Sequence, residues 1–173
     1  LGNPPFSGAR IMNTEQKEDM GLVFGGTKGA GNLDYVTAWY RKAAEYIAHT
    51  KISAAFVSTN SISQGEQVAI LWKPLLEKFG IIIYFGYRTF KWSNEAKGKA
   101  AVHCVIVGFS AYDKKRNKHI YESDGTVVES QNINPYLVNA KNIFIESRTN
   151  PICNVPKTGV GNQPIDGGNY LFS

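Results

Sequence analysis

The fold is decided by Ile81-Ile82-Ile83-Tyr84-Phe85-Gly86-Tyr87, a run of apolar and aromatic residues as long as one strand. A run without polar alternation is typical of a strand that is covered on both faces. Residues 52–57 and 101–109 have the same character and are also predicted strands. Predicted helices before and after 52–57 make strands alternate with helices, which favours an α/β domain with a largely parallel sheet. Because no helix separates 81–87 from 101–109, these two strands are predicted to form an antiparallel hairpin.

Two helices are predicted, one on either side of residues 52–57. Asn32 can cap the first helix with Asp34 in its first turn, and apolar residues recur at helical spacing from Val36 to Ile47. The segment Ser63-Gln64-Gly65-Glu66 has the form of a capping box that opens the second helix. That helix is predicted to stop at Gly80, and its inward face consists of Val68, Leu71, Trp72, Leu75 and Leu76.

The remaining segments carry weaker signals. Residues 7–32 are polar and glycine-rich, which predicts a loop, either an active-site lid or an ordinary connection. Their glycine spacing matches neither a P-loop nor G-x-G-x-x-G, so no nucleotide site is predicted there. Short strands are allowed at Tyr121, at 127–128 and at 143–145, and from Asn150 onward the prolines and glycines indicate a loop or linker.

Composition excludes several classes of protein. With 173 residues, 43% hydrophobic and 19% charged, the chain can bury the core of one domain and is not a disordered segment. No apolar run approaches the roughly 18 residues of a membrane span. Cys104 and Cys153 are too few for a disulfide scaffold or a cysteine-based zinc site, and both are predicted to be buried. His49, His103 and His119 lack ligand spacing, so no metal site is predicted.

The net charge of +5 is concentrated in one stretch. Residues 73–118 hold ten basic and three acidic residues, a balance of +7, so the rest of the chain carries −2. Aromatic residues such as Phe90 and Trp92 lie among these basic residues. Such a stretch suits a surface that meets nucleic-acid phosphates, although a solvated, solubilising face has the same composition.

The tetrapeptide Asn3-Pro4-Pro5-Phe6 has the chemistry to hold a planar amine. The two prolines fix the backbone and remove donors, so the carbonyls before and between them are rigid acceptors. Asn3 adds a side-chain oxygen, and Phe6 adds a flat ring for stacking. Two aimed acceptors beside an aromatic ring suit the exocyclic amino group of a base.

This tetrapeptide resembles the catalytic motif of amino-methylating DNA methyltransferases, which act on adenine with S-adenosylmethionine. Residues 52–60 resemble the family's next core strand with its polar exit turn, and 81–92 with 101–109 resemble its terminal hairpin. Three further segments resemble the MmeI-type class, in which one long chain joins a nuclease to an adenine methyltransferase. They are Asn32-Leu33-Asp34-Tyr35-Val36 with Trp39-Tyr40, Gln64-Gly65-Glu66-Gln67, and Thr89-Phe90-Lys91-Trp92-Ser93-Asn94-Glu95-Ala96.

The resemblance implies direct methyl transfer to a flipped-out adenine. The catalytic residues would be Asn3, Pro4, Pro5 and Phe6. Asn3 and the Pro4 carbonyl would accept hydrogen bonds from the 6-amino group, and Phe6 would stack on the base. Phe90 and Trp92 would wall the base pocket on its other side. No cysteine nucleophile is required.

The resemblance also implies an organisation. The fold expected is the C-terminal half of a Rossmann-like methyltransferase domain, a mixed sheet that ends in an antiparallel hairpin. Residues 1–150 would be a partial catalytic domain, and 151–173 a linker toward a target-recognition region. In this motif order the cofactor loop precedes Asn3, so the chain is expected to be a fragment, inactive alone and without most of the S-adenosylmethionine site. Its partners would be double-stranded DNA and the rest of the parent chain, in the bacterial cytoplasm at the nucleoid.

Several alternatives stay open from the residues alone. Asn60 could touch substrate or cap its turn. Lys91, Lys97 and Lys99 could contact DNA phosphates or lie in a solvated connection. The same tetrapeptide suits a methyltransferase that acts on RNA or on protein glutamine, and the aromatic and basic residues would also suit a non-catalytic DNA-binding module.

Overall fold

The computed structural model describes residues 1–92, 102–113, 117–148 and 150–155. Three helices lie in the first half of the chain: α1 (Thr14–Phe24), α2 (Thr37–Ile47) and α3 (Gln67–Phe79). Short 3₁₀ turns cover Ala30–Asn32 and Asn60–Ser63. The strands are β1 (Ser53–Thr59), β2 (Ile82–Trp92), β3 (Val102–Ser110), β4 (Lys118–Tyr121) and β5 (Val127–Ser130).

The five strands form one mixed sheet in the order β1-β3-β2-β4-β5. Strand β3 lies between β1 and β2 and is antiparallel to both, while β2 pairs in parallel with β4, and β4 pairs antiparallel with β5. The mixed α/β sheet and the β2–β3 hairpin are confirmed. The prediction of a largely parallel sheet is wrong for the described residues, because the return strand β3 inserts between two strands that run in one direction.

The apolar run from Ile81 to Tyr87 is the first part of a longer strand. β2 continues to Trp92, with irregular register between Ile83 and Phe85 and again between Tyr87 and Phe90. Bulges of this kind twist and bend a strand while its pairing continues on either side. Phe90 and Trp92 are therefore placed by strand geometry and not by a loop.

The core lies between one face of the sheet and the helices. Tyr40 of α2 and Trp72 of α3 pack against Phe56 of β1 and Phe109 of β3, with ring centroids 5.2–6.4 Å apart. The Trp72 indole donates to the Ile62 carbonyl over 2.7 Å. This pairing gives the one polar atom of a fully buried ring a partner, which a buried tryptophan requires.

Helix α1 corrects the prediction that residues 7–32 form a loop. Asn13 caps it: Asn13 Oδ1 accepts from Gln16 N over 2.8 Å, and Gln16 Oε1 accepts from Asn13 N over 3.1 Å. This is a complete capping box, and Met20 and Phe24 are buried in the core. The glycines on both sides of this helix obscured its capping signal.

The predicted caps of α2 and α3 are also wrong. Their N-cap residues are Val36 and Glu66, and neither cap uses a side chain. Asn32 lies in a 3₁₀ turn, and Gly65, at φ 61°, separates Ser63 from the helix that it was expected to cap. The predicted end of α3 is confirmed, since Gly80 is its left-handed C-cap with φ 62°.

The second half of the described chain is less regular. Strands β4 and β5 agree with the expectation at Tyr121 and 127–128, whereas residues 143–145 form no strand. Cys104 is buried, as predicted, and burial raises the pKa of its thiol. Cys153 is exposed, so its predicted burial is wrong, because it lies in an irregular segment outside the core. Among the described helices, none is long and apolar enough to cross a membrane.

Candidate functional site

Several strand ends meet at one edge of the sheet. β1 and β2 run in the same direction because each is antiparallel to β3, and β4 is parallel to β2. Gly2 forms a parallel bridge with Phe56, so the chain entering Asn3 runs the same way. In open α/β sheets, ligands bind at the carboxyl ends of parallel strands. We call this edge, where Asn3, Asn60 and Trp92 lie, the carboxyl edge.

Backbone pairing with β1 brings the tetrapeptide to the carboxyl edge. Gly2 N donates to Ala55 O over 2.9 Å, and Val57 N donates to Gly2 O over 3.0 Å. A Cβ atom on residue 2 would come within 2.9 Å of the Phe56 ring. Glycine thus allows this backbone to lie close to β1, and the next residue is Asn3.

The four residues alternate in exposure. Asn3 and Pro5 are exposed, Pro4 is buried, and Phe6 is half-buried and packs against the core. Burial of Pro4 and Phe6 fixes the backbone on the protein side. The Asn3 side chain is left facing outward, where it can meet a ligand.

The chain is held again just after Phe6. Tyr35 N donates to Ser7 O over 2.8 Å, and Ala9 N donates to Asp34 Oδ1 over 3.2 Å. The tetrapeptide is therefore held at both ends, by Gly2 on β1 and by residues 7–9 on the segment that precedes α2.

Asp34 is the residue that sequence reasoning missed. The sequence predicts Asp34 in the first turn of a helix, but its side chain is buried and accepts three hydrogen bonds from distant parts of the chain. Oδ1 accepts from Ala9 N and Gln67 Nε2, each over 3.2 Å, and Oδ2 accepts from Thr59 Oγ1 over 3.0 Å. The signal available in the sequence was one acid beside Leu33, within a segment rich in apolar residues.

Tyr35 ties helix α1 to the same segment. Its hydroxyl donates to Asp19 Oδ2 over 2.6 Å, and its ring meets that of Trp39 edge-on with centroids 4.9 Å apart. The hydrogen bond to the Asp19 carboxylate raises the pKa of Tyr35, so this hydroxyl stays a donor. Helix α1 is thereby fixed against the segment that holds residues 7–9.

Phe90 and Trp92 lie toward the end of β2, on the carboxyl edge. Their ring centroids are 6.2 Å apart, and Phe90 also meets Tyr87 edge-on at 5.7 Å. Pairing aligns Thr59, Cys104 and Phe90 in one row across β1, β3 and β2. Three strand spacings separate the Gly2 segment from β2, about 14 Å. The two aromatic positions therefore share an edge with Asn3 without being its neighbours.

The other predicted contact residues do not lie in one place. Asn60 opens the 3₁₀ turn after β1, and its backbone carbonyl accepts from Ser63 Oγ over 3.0 Å. Lys91 is exposed on β2. Lys97 and Lys99 lie outside the described residues, as do 93–96 of the aromatic motif.

Part of the basic stretch is engaged within the protein. Lys73 pairs with Glu146 over 2.7 Å, and Arg88 pairs with Glu122 over 2.8 Å. Both pairs are partly exposed, so each contributes little to stability. Within the described part of the chain, no three His, Cys, Asp or Glu side chains come together as metal ligands would.

Comparison with known proteins identifies a family whose members match this chain. Residues 1–122 match the family described as the MmeI DNA-methyltransferase domain. The whole chain is 49% identical over 173 residues to DNA methyltransferase A of Bacillus subtilis (strain 168) and covers 20% of that protein. It also matches the structure of the type IIL restriction-modification enzyme MmeI in complex with DNA, with a TM-score of 0.91 and 49% identity.

That alignment covers 100% of this chain and 24% of the MmeI chain. The chain thus spans less than a quarter of the length of either relative. The match extends over the tetrapeptide, both aromatic positions and the Asp34 segment, and it confirms the resemblance that the motifs indicated. The chain belongs to the family of MmeI DNA-methyltransferase domains.

Proposed function

We propose that this chain is the base-accepting part of a DNA adenine methyltransferase and works within a longer restriction-modification polypeptide. The observation that carries the proposal is the placement of Asn3–Phe6. Hydrogen bonds to the backbone of residues 2, 7 and 9 fix the tetrapeptide at the carboxyl edge at both of its ends, and Asn3 stays exposed. Its relatives supply the reaction class, since one is a DNA methyltransferase and the other was solved in complex with DNA.

The proposed chemistry uses Asn3 and Pro4 as acceptors. The Asn3 side-chain oxygen and the Pro4 carbonyl accept the two hydrogens of the adenine 6-amino group. These bonds hold the nitrogen lone pair toward the methyl group and stabilise the positive charge that develops on nitrogen. When the methyl donor is bound, the amino nitrogen would take its methyl carbon as the carbon–sulfur bond of the donor breaks, and the amino group would then release one proton to water.

Aromatic rings would hold the flipped base in this position. Phe6 is half-buried and fixed beside Asn3, so its ring can stack on one face of the base without losing further freedom. Phe90 and Trp92 share the edge and would close the pocket from the side of β2. Because they lie some distance from Asn3, we assign them to the rim.

The proposed cofactor is S-adenosylmethionine, which supplies an electrophilic methyl group on a sulfonium. A cleft of about 410 Å³ begins two residues after Phe6 and offers one wall for it. Gly8 and the exposed Glu66 contribute to its lining, and the Glu66 carboxylate suits the amino or hydroxyl groups of such a molecule. We place the rest of the cofactor site in parts of the full-length protein outside this chain.

The proposed partner is double-stranded DNA. Residues 73–118 carry a balance of +7, and Lys91 is exposed beside the two aromatic residues at the end of β2. An exposed basic side chain beside aromatic rings suits nucleic-acid phosphates and bases better than a protein substrate. Lys91, Lys97 and Lys99 are assigned to phosphate contacts.

The test is methyl transfer by the full-length protein to its DNA target, to RNA and to glutamine-containing protein. We expect DNA to be methylated at the adenine 6-amino group. Asn3→Ala should lower the rate by about 100-fold or more, because it removes an acceptor used in the transition state.

Asn139→Ala is the matched control, since Asn139 is exposed in the irregular segment after β5, where it forms an isolated bridge with Ile133. It should leave the rate unchanged. Methylation of RNA or protein in place of DNA would refute the assignment of substrate. DNA binding without any transfer would favour a non-catalytic module.

A further inference from the structure

The tetrapeptide is held by hydrogen bonds at both ends, and the bonds at its second end include one to a side chain. At its start, Gly2 is bonded to β1 through the backbone. At its end, residues 7–9 are bonded to Tyr35 N and to the Asp34 carboxylate. We propose that Asp34 is a positioning residue, which sets where Asn3 and Pro4 lie at the carboxyl edge; this inference rests on the proposed function.

Each hydrogen-bond donor to the Asp34 carboxylate comes from a different part of the fold. Ala9 N belongs to the chain after the tetrapeptide, Thr59 Oγ1 to the end of β1, and Gln67 Nε2 to the start of α3. The carboxylate therefore joins the segment that carries Asn3 to the strand that Gly2 pairs with. Both ends of the tetrapeptide are thus connected to β1, directly at Gly2 and through Asp34 at Ala9. These connections fix the path of residues 3–6 relative to the strand.

The bonding pattern distinguishes this role from helix capping. The N-cap of α2 is Val36, and no side chain caps this helix. The Thr37 hydroxyl donates to the Asp34 carbonyl over 2.7 Å, so the backbone of Asp34 serves the helix start. The carboxylate is left to the three distant donors.

The burial of Asp34 makes those donors necessary. Its residue is 7% exposed, and all three donors are neutral. A buried carboxylate that loses its donors is costly, so segments that supply them are held at fixed distances. Movement of residues 7–9 by one ångström would shift the acceptors away from the 6-amino group, and catalysis is sensitive to errors of that size.

The experiment compares Asp34→Ala and Asp34→Asn in the full-length protein. Alanine removes all three bonds. Asparagine keeps the shape: its oxygen can accept from Ala9 N and Gln67 Nε2, while its amide can donate to the Thr59 hydroxyl. Asp124→Ala is the matched control, because Asp124 is an exposed acid whose side chain accepts from Thr126 N within the β4–β5 turn.

Two readouts are measured well below the unfolding temperature of each variant. We expect Asp34→Ala to lower kcat by about tenfold or more with KM for DNA changed by less than about threefold, and Asp34→Asn to stay within about threefold of the parent. By hydrogen exchange, the Ala9 amide and the Tyr35 amide, which donates to Ser7 O, should exchange about tenfold faster in Asp34→Ala only.

Three outcomes would overturn the inference. They are an unchanged kcat in Asp34→Ala, unchanged exchange at the Ala9 and Tyr35 amides, or an Asp34→Asn variant as slow as Asp34→Ala. If the parent protein methylates nothing, the proposed function is refuted instead. The exchange measurement then still decides whether Asp34 holds the loop.

Discussion

Asp34 and Gln67 hold each other through two hydrogen bonds although 33 positions separate them in the chain. Asp34 N donates to Gln67 Oε1 over 3.1 Å, and Gln67 Nε2 donates to Asp34 Oδ1 over 3.2 Å. The side-chain amide of Gln67 thus forms hydrogen bonds with both the backbone and the side chain of Asp34. This contact fixes the first residue of α3 against the segment that precedes α2, beside the end of β1.

Gln67→Glu should destabilise the protein by about 2–4 kcal/mol at pH 7, because a second carboxylate replaces the donor that faces the buried Asp34 carboxylate. The free energy of unfolding of the 173-residue chain in urea measures the effect. Gln64→Glu is the control, since Gln64 is exposed, and it should change stability by less than about 0.5 kcal/mol. Equal stability of the two variants would contradict the contact.

Gly108→Ala should destabilise the sheet. A Cβ atom at residue 108 would overlap the Phe85 ring, which lies over this glycine on the neighbouring strand. We expect a loss of about 1–3 kcal/mol in the free energy of unfolding, as overpacking usually costs. Adding Phe85→Leu to this variant should restore part of the lost stability, because it removes the ring that overlaps the new Cβ atom.

Gly21→Ala is the matched control for that substitution. Gly21 is exposed in α1, and nothing lies within 4 Å of a Cβ atom built on it. Alanine there should stabilise the chain by about 0.5–1 kcal/mol, since glycine is unfavourable in a helix interior. A destabilised Gly21→Ala would argue against the position of α1.

Short sequence patterns predict those helices and strands whose formation depends mainly on neighbouring residues in the chain. The apolar runs of β1, β2 and β3 and the stop of α3 at Gly80 could be read directly, because apolar runs and a left-handed glycine have few alternative explanations. The capping box of α1 is also local, but the glycines at positions 8, 21, 25 and 26 favour a loop over the same segment.

The pairing of distant segments could not be read in the same way. Whether β3 would insert between β1 and β2 depends on the competition between strand edges, which no single segment encodes. The Asp34 carboxylate is bonded to residues 25 and 33 positions away, so its role appears only after the sheet is assembled. The tetrapeptide can be proposed as a site from the sequence alone, because the groups that carry this proposal lie within four consecutive residues.

Tyr40 should make the protein sensitive to alkaline pH. Burial raises the pKa of its hydroxyl far above the ordinary value of 10.0, and the bond to Ser58 Oγ, 2.7 Å long, offsets only part of this rise. Above pH 10 the unfolded chain therefore loses this proton while the folded chain keeps it. The stability from Tyr40 is fully present below about pH 10 and falls by about 1.4 kcal/mol per pH unit well above it.

Tyr40→Phe isolates this effect from the other titrating groups. The variant should lose about 1–3 kcal/mol at pH 8, because the buried Ser58 hydroxyl loses its partner. Urea unfolding at pH 8 and pH 11 should show a smaller loss on alkalinisation in Tyr40→Phe than in the parent. Identical pH dependence in both proteins would contradict the buried position of the Tyr40 hydroxyl.

Substitution of Phe90 tests whether the flipped adenine binds at the carboxyl edge of the sheet. Base stacking on an aromatic ring is worth about 1–3 kcal/mol, and Phe90, at the rim, is expected to contribute only part of this, so Phe90→Ala should lower kcat/KM for DNA by up to about tenfold. Phe90→Trp should retain most of the activity, since it keeps a flat ring on the same strand.

Tyr112→Ala is the control, because Tyr112 is an exposed aromatic residue just after β3. Since β3 runs antiparallel to β1 and β2, Tyr112 lies at the opposite edge of the sheet. Single-turnover methylation measures all three variants, and equal losses in Phe90→Ala and Tyr112→Ala would argue against a base pocket at the carboxyl edge.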